Sequence, residues 1–337
     1  MRRSFLRQVK LSEQRGVILA VVGLSLFAFV ALFALVADLG YIFVTKNELQ
    51  NVADSASLAA AVEIRNGQSV ARQKAISFGE AHNVAGSHII VDPSDVVFGN
   101  YNVITRAFTP NGLPTNAVQV QARRTDTAPS GPLTLFFARV FGKDTSNVRA
   151  ISLTILDNHV VGVHGKNRLI PYSVINFVVD QNGDGLYDIG STINIHPRSD
   201  APGNFGFLDL NGGNNSVTEL RQFIENGYDS DFIIPPGGFV PVLGSTGIDG
   251  NSLLDSFKKI VGEEVFLPVH NRVTGTGSNA IFDVISLLAV KITGVKLTGN
   301  QDQRYIKVEI ISFASSVLVV NPDAPENNSV AKPRLAF

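Results

Sequence analysis

Gly16-Val-Ile-Leu-Ala-Val-Val-Gly-Leu-Ser-Leu-Phe-Ala-Phe-Val-Ala-Leu-Phe-Ala-Leu-Val-Ala37 contains no charged residue, and its one hydroxyl group, that of Ser25, can bond back to its own helix. About 20 apolar residues at a rise of about 1.5 Å each cover the roughly 30 Å of hydrocarbon in a bilayer. Lipid offers no partner for backbone N–H and C=O groups, so a single crossing segment has to be helical. The stretch therefore predicts a transmembrane helix over residues 16–37.

The charges on either side of this stretch predict its direction. Residues 1–15 carry five basic side chains against Glu13 alone, whereas Asp38 and a mixed sequence follow the apolar run. Because an excess of Lys and Arg marks the cytoplasmic side, we expect a cytoplasmic N-terminus and an extracytoplasmic chain after Asp38.

A cleaved secretory signal is the alternative to a retained anchor. Signal cores run to about 7–15 apolar residues and end in a site with small residues at two positions. The core here is longer, and Leu35-Val36-Ala37 places a bulky Leu where a small residue is needed. These features favour a membrane anchor that is retained.

Composition limits the classes of function. The formal net charge is −1, and because residues 1–15 are basic, the rest of the 337-residue chain is mildly acidic. A mildly acidic domain argues against nucleic-acid binding, which usually requires a basic patch. The chain has no Cys, so disulfides, thiol catalysis and Cys-ligated metals are excluded.

The helix is expected to continue beyond the membrane as far as about Ile64, for a total of roughly 45–50 residues. Its outer half is amphipathic, and small side chains at Ala53, Ala56 and Ala60 form a strip on one side. Such a strip either packs on the chain's own domain or accepts a helix from another molecule.

Asp38, the first residue after the apolar run, also has two interpretations. It is either a hydrated residue at headgroup level or the partner of a cation on another helix.

The remaining pattern predicts an α+β fold. In it, a long N-terminal transmembrane helix continues into an α+β head, and a mostly antiparallel β domain with two short helices follows. The expected organisation is a basic cytoplasmic segment (1–15), the transmembrane helix (16–37), a stalk and head (38–157), a Gly-rich β domain (158–320) and an extended or disordered tail (321–337). Helices are expected at 70–83, 134–141, 216–226 and 251–261, and strands at 88–91, 96–98, 117–122, 148–156, 172–179, 265–269, 280–292 and within 305–320.

Several stretches resemble one family. The apolar run with Ala37-Asp38-Leu39-Gly40-Tyr41 and Leu49-Gln-Asn-Val-Ala-Asp-Ser-Ala-Ser-Leu-Ala-Ala-Ala61 resembles the N-terminal module of TadG-like proteins of the tight-adherence (Tad, Flp) pilus-assembly system. Asn116–Val120, Gly131–Leu133 and Phe136–Gly142 resemble the segment that follows, and Pro202–Leu210 with Glu219–Arg221 and Glu225–Gly227 resembles the C-terminal region.

The resemblance implies a non-enzymatic accessory of pilus biogenesis in the bacterial inner membrane, with a periplasmic bulk and with pilus-assembly or pilin proteins as partners. It implies no nucleic-acid partner and no small-molecule substrate. Two departures limit what is carried over. Pilins carry a Glu five residues after the cleaved Gly, where this chain has Val21 after Gly16, and the Asp-x-Ser-x-Ser adhesion metal motif is absent from the sequence.

The run Asp180-Gln-Asn182-Gly-Asp184-Gly-Leu186-Tyr-Asp188 matches the front of a calcium loop. Oxygen ligands stand at positions 1, 3, 5 and 9, the carbonyl of Leu186 stands at 7, and a Gly allows the sharp turn at 6. Position 12 is Ser191, so the bidentate Glu is missing. The run is therefore either a shortened, weak Ca²⁺ site or a plain Asx-rich turn.

Other chemical motifs fail. The turn at His164-Gly165-Lys166 lacks the Gly and the hydroxyl residue of a phosphate loop, and Ser245 lacks the Gly two residues earlier that a nucleophile elbow requires. The sequence has no His-x-x-His or His-Glu-x-x-His spacing of a catalytic zinc site. The preferred hypothesis is a structural Tad-pilus component, the alternative is a calcium-stabilised surface adhesion module released from the membrane, and an envelope hydrolase would need a nucleophile and base that the sequence does not reveal.

Overall fold

The computed structural model of the chain describes residues 3–196, 206–213, 216–245, 250–300 and 303–336. The α-helices are α1 (Arg3–Glu63), α2 (Gln68–Glu80), α3 (Asn176–Val179), α4 (Val217–Asn226) and α5 (Gly250–Lys259), and 3₁₀ turns lie at Ile64–Asn66, Pro93–Asp95, Ala138–Phe141 and Gly277–Asn279.

The strands are β1 (Asn83–Val84), β2 (Ser87–His88), β3 (Val96–Asn102), β4 (Ala107–Pro110), β5 (Ala117–Arg124), β6 (Leu133–Thr134), β7 (Thr145–Ser146), β8 (Val148–Asp157), β9 (Val160–Val163), β10 (Val174–Ile175), β11 (Thr192–Ile195), β12 (Phe232–Ile233), β13 (Val240–Leu243), β14 (Glu264–Thr274), β15 (Ile281–Lys296), β16 (Tyr305–Ile310), β17 (Phe313–Ala314), β18 (Leu318–Val320) and β19 (Val330–Leu335).

Helix α1 is continuous over 61 residues, so it begins well before the predicted membrane segment and runs through it without a break. Among the described residues it is the helix that is long and apolar enough to cross a membrane, judged by length and composition. Its apolar side chains are exposed in the isolated chain, for example Phe27 at 70% and Phe33 at 73%. The Ser25 hydroxyl donates to the Val21 carbonyl at 2.8 Å, as the sequence suggested.

The described part of the chain divides into two compact units that alternate along the sequence. Unit 1 contains residues 1–59, 72–97 and 119–153, and unit 2 contains residues 60–71, 98–118 and 154–337. Each unit thus contains three separate segments of the chain. One sheet has the strand order β17-β19-β8-β5-β3-β4. The units are therefore not separated by a single position in the sequence.

In unit 1, the outer half of α1 packs against α2. Val52 and Ala75 are fully buried, and an added Cβ at Gly79 would lie 2.5 Å from Cγ2 of Val91 and 3.6 Å from Cγ1 of Val52. The absence of a side chain at Gly79 thus permits the close approach. Two polar contacts join α1 to the rest of the unit: Ser57 Oγ bonds Ser152 Oγ at 2.9 Å, and the Ala85 amide donates to the Glu48 carboxylate at 2.7 Å.

Unit 2 is built on a sheet of order β10-β14-β15-β16-β11, with β13 also paired to β15. The pairs are antiparallel apart from β10 with β14. Along β14, Val265, Leu267 and Val269 join one core cluster and Phe266 joins another. A strand buried on both faces reads as a continuous apolar run, which is why the sequence indicated this strand clearly.

The local predictions hold best where one short-range signal suffices. The Ser216 hydroxyl accepts from the Glu219 amide at 3.2 Å and caps α4, as predicted. Gly142 ends the Ala138–Phe141 turn in the left-handed conformation (φ 78°), as predicted. The prediction of a helix over 134–141 is wrong in length, because only the short 3₁₀ turn forms.

Two strand predictions differ from the structure. The strand expected at 88–91 is limited to the hairpin partner Ser87–His88. The strand expected at 172–179 is short and changes into α3, with Val179 fully buried. The sequence does not reveal these changes because the apolar residues are buried from a helical turn or a loop as well as from a strand.

The segment expected to be an extended or disordered tail ends in strand β19, which pairs antiparallel with β8 from Lys332↔Asp157 to Leu335↔Thr154. Strand β17 pairs only with Val330 and Ala331, so Pro333 lies beyond that pairing and its missing N–H is tolerated. Just before β19, Asn327 and Ser329 are buried, and the side chain of each donates a hydrogen bond to a backbone carbonyl. The prolines alone gave the misleading indication of a tail.

We predict that Gly227→Ala destabilises unit 2 more than Gly237→Ala does. Gly227 has φ 82° and ψ 168°, a region nearly restricted to Gly, and an added Cβ would lie 1.7 Å from the Asn167 carbonyl oxygen. We expect a loss of more than about 2 kcal/mol of unfolding free energy. Gly237 has φ 64° with nothing within 4 Å, so its substitution should cost about 1 kcal/mol. Chemical denaturation checks this, and equal losses would contradict the steric account.

Candidate functional site

Asp38 is the first residue after the apolar run, and its side chain is buried within unit 1 (4% exposed). Its Oδ1 accepts from the Phe136 amide at 2.9 Å, and its Oδ2 accepts from the Phe137 and Ala138 amides at 3.0 and 2.6 Å. Three consecutive backbone N–H groups therefore converge on one carboxylate. We call this arrangement the Asp38 site.

The chemistry of the Asp38 site follows from its position at the start of the Ala138–Phe141 turn. The first amides of a helical turn have no partner within the turn, and a carboxylate satisfies them. Burial raises the pKa of Asp38, but the hydrogen bonds from these amides and the nearby charge of Arg139 outweigh that effect and lower it. The side chain is therefore ionised at neutral pH, and its hydrogen bonds attach this turn to α1.

This placement differs from both interpretations of Asp38 that the sequence offered. Backbone amides of its own chain bond the carboxylate, and neither interpretation included these partners. The ring of Tyr41 also contacts that of Phe136, with centroids 5.0 Å apart. Sequence reasoning missed this site because the partners lie about a hundred residues away, with no local spacing to join them.

The small residues of α1 face the interior of the chain. Ala53, Ala56 and Ala60 are fully buried, whereas Ala37 is exposed. Gly16 lies on α1. The strip at Ala53, Ala56 and Ala60 thus has no exposed surface for another molecule in this conformation, and it packs on the chain itself.

In the Asp180 loop, the side-chain oxygens bond to the loop's own backbone. Asp180 accepts from the amides of Gly183 at 2.9 Å and Gly185 at 3.0 Å. Asn182 accepts from the Asp184 amide at 3.0 Å, and Asp184 accepts from the Leu186 amide at 2.8 Å. Asp188 accepts from the Gln181 amide at 2.9 Å. These are the contacts of an Asx-rich turn.

The same loop keeps some features that a cation site needs. Gly183 and Gly185 have φ values of 72° and 84°, which allow the sharp turn. In the part of the chain that the structure describes, no group of three or more His, Cys, Asp or Glu side chains is arranged to hold a metal. Calcium binding by Asp180, Asn182, Asp184, Leu186 and Asp188 stays a prediction.

Asn328 fixes the far end of the loop. It accepts from the Tyr187 amide at 2.9 Å and donates to the Tyr187 carbonyl at 2.7 Å. Burial raises the pKa of Tyr187 to about 12, with a further contribution from the charge of Asp180. The C-terminal segment thereby holds the loop in place, a link that the sequence did not reveal.

The structure also brings together two acid–histidine pairs that the sequence analysis did not identify. His164 Nδ1 lies 2.8 Å from Asp231 Oδ2, and Asp231 also accepts from the Gly165 amide at 2.7 Å. His159 Nδ1 lies 2.9 Å from Asp157 Oδ1. The His164 pair is more than half exposed, which is the setting of a surface turn and not of a water-excluded catalytic site.

A cleft of about 490 Å³ in unit 2 contains Arg65 among several acidic residues, including Glu63, Glu264 and Glu309. Burial lowers the pKa of Arg65 to about 10, and its guanidinium donates to Ser312 Oγ and, at 3.0 Å, to the Asn328 carbonyl. Ser312 is therefore engaged by a cation and not by a base that could activate it. This arrangement orders the cleft and offers no nucleophile–base pair.

These features define a class of protein: an α+β fold that follows a long N-terminal apolar helix. The carboxylate at the end of the apolar run, that of Asp38, is hydrogen-bonded within the fold. Residues 16–63 match the TadE/G-like Flp pilus-assembly family, and residues 48–153 match the Tad-like Flp pilus-assembly family. These matches support a TadG-like protein of the Tad pilus-assembly family.

The two matches together end at residue 153, and most of unit 2 lies outside them. The resemblance drawn from 202–210 and 219–227 lies in that part, and residues 202–205 fall outside the described residues. No curated protein and no solved structure matches the chain.

We predict that Asp38→Asn loosens the Asp38 site. Loss of the charge leaves three converging amides with a single neutral acceptor, so the Phe136–Ala138 amides should exchange their hydrogens faster. Hydrogen exchange measured by mass spectrometry checks this. Asp54→Asn is the control on the same helix, since the Asp54 carboxylate accepts from the Gln50 side chain and holds no backbone amide among the contacts described. Unchanged exchange at residues 136–138 in Asp38→Asn would contradict the assigned role.

The Asp38 site also predicts a pH dependence. Because the folded-state pKa of Asp38 is lowered, its contribution to stability is present above the unfolded pKa of about 3.8 and is lost as pH falls through the folded value. Protection of the 136–138 amides should therefore persist at pH 5 and fall in more acidic solution, in a range below about pH 3.8. In Asp38→Asn this acid transition should be missing.

The calcium hypothesis predicts that Ca²⁺ raises the melting temperature. A site without the bidentate Glu should be weak, with Kd on the order of 10⁻⁴–10⁻³ M. Saturation to about 10–100 times Kd would then add about 1.4–2.7 kcal/mol of stability. The increase should be absent in Asp184→Ala and absent with Mg²⁺. A melting temperature that Ca²⁺ leaves unchanged would leave only the Asx-rich turn.

Proposed function

We propose that this protein is a single-pass structural component of Tad pilus assembly in the bacterial inner membrane. Its N-terminus is cytoplasmic, and the chain after Asp38 lies on the extracytoplasmic side, where it acts by protein–protein contacts. Helix α1 supports the anchor, because it carries the uninterrupted apolar run and the basic flank. The partners proposed are pilin or pilus-assembly proteins, with no nucleic acid and no small-molecule substrate.

One observation carries this proposal: the apolar span continues as the same helix into the folded part that matches the Tad families. Beyond the apolar span, the same helix contributes Leu49, Val52 and Ala53 to the interior, so the span is joined to the fold without a flexible linker. An anchor that shares one helix with its domain acts by holding that domain at the membrane and not by catalysis. The proposed role is therefore structural and non-enzymatic.

The alternative is a calcium-stabilised adhesion module released from the membrane. Its support is the Asp180 loop, and it requires cleavage after the apolar run. Intact mass of the membrane and soluble fractions separates the two functions. We expect a membrane species that retains residues 1–37, and a mature soluble species starting near Asp38 would favour the released module.

Topology can be measured directly because the chain has no native Cys. Thr105→Cys places one thiol at an exposed position of unit 2, and Ser12→Cys places one on the basic N-terminal segment. After permeabilisation of the outer membrane, a membrane-impermeant maleimide should label Thr105→Cys and spare Ser12→Cys until the cells are lysed. The reverse pattern would contradict the proposed orientation.

A further inference from the structure

The turn beside Asp38 exposes a set of large apolar side chains. Phe136 is 63% exposed, Phe137 47%, Val140 83% and Phe141 75%. Single exposed apolar residues are ordinary on protein surfaces, but a contiguous group marks a contact with a partner or a membrane. We call these four residues the Phe136 patch.

The Asp38 site fixes the position of the Phe136 patch along α1. The carboxylate of the first residue after the apolar run holds the amides of Phe136, Phe137 and Ala138 within 2.6–3.0 Å. The patch therefore starts at the level where the membrane helix leaves the hydrocarbon. At the same level of α1, Leu39 and Phe43 are also apolar and exposed, at 54% and 65%.

The charges around the patch suit a bilayer surface. Arg139 and Lys143 are exposed, and Arg139 donates to the Leu135 carbonyl at 2.7 Å, while Asp144 is the acidic residue of the same turn. Aromatic side chains flanked by basic residues are typical of segments that lie at the headgroup level. Long basic side chains there reach the lipid phosphates while their stems stay against apolar groups.

We propose that the Phe136 patch inserts into the extracytoplasmic headgroup region of the bilayer, next to α1, as a second membrane contact. The inference rests on the proposed anchoring by α1. Lipid is the occupant because Asp38, the first residue after the apolar run, holds the patch at the end of that run, and Phe136 contacts Tyr41 of the same helix. A single helix can tilt and rotate, whereas a helix with an interfacial wedge beside it holds unit 1 in one orientation to the membrane.

The chain has no native Trp, so one substitution at a time supplies a unique fluorophore in the full-length protein. Phe141→Trp and Val140→Trp report on the patch, and Phe27→Trp reports on the middle of the apolar run. Phe78→Trp is the matched control, an exposed aromatic position of unit 1 on α2 beside Gly79. Gly79 packs against Val52, which lies 14 residues beyond Asp38 on α1. Position 78 is therefore about 21 Å along α1 from the level of the patch.

Each variant is reconstituted in phosphatidylcholine–phosphatidylglycerol vesicles whose lipids are brominated near the headgroup end or near the methyl end of the chains. We expect Phe141→Trp and Val140→Trp to lose emission mainly with the shallow bromines, and Phe27→Trp mainly with the deep bromines. Phe78→Trp should keep its emission with both.

The outcomes separate this inference from the proposed function. If Phe27→Trp is quenched but both patch variants are not, the patch does not meet lipid and the inference is overturned while the anchor stands. Patch emission that shifts to the blue only as protein density rises would assign the surface to a second copy and also overturn it. An unquenched Phe27→Trp would overturn the anchor and the patch contact together.

Discussion

The hydrocarbon of a bilayer leaves α1 no freedom to break, because any exposed N–H or C=O group within it would lack a partner. The helix meets this constraint over its 61 residues, and it passes Gly40 without interruption although Gly weakens a helix relative to Ala. Continuity carries the backbone from the apolar run directly into the interior of the fold. The part of α1 beyond the run supplies Leu49, Val52 and Ala53 to the core of unit 1.

A carboxylate at the end of an apolar run has to be hydrated or compensated, since burying a lone charge is costly. Asp38 is compensated by three backbone amides that would otherwise lack partners at the start of their own turn. The carboxylate and the amides satisfy each other, and a turn about a hundred residues away in sequence becomes fixed to α1 at the end of the apolar run. The exposed aromatic side chains of that turn are the ones for which we propose a contact with lipid.

Short-range signals made much of the fold predictable. The uninterrupted apolar run gave α1, the apolar strands gave β14 and β15, Ser216 gave the start of α4, and Gly142 gave the end of its turn. The Asp38 contact, the pairing of β19 with β8 and the Asn328 contact to Tyr187 join residues that are far apart in sequence. No local spacing encodes such pairings, so the sequence alone could not place the candidate site.

The central claim is that one unbroken helix passes from the membrane span into the folded part across Asp38 and Gly40. The direct measurement is the spin-label distance between Phe29→Cys and Asn47→Cys in the Cys-free chain, reconstituted in bilayers. The two exposed positions lie 18 residues apart on the same side of α1. A continuous helix predicts a narrow distribution centred near about 27 Å. A broad distribution at shorter distances would show a break or hinge and contradict the account.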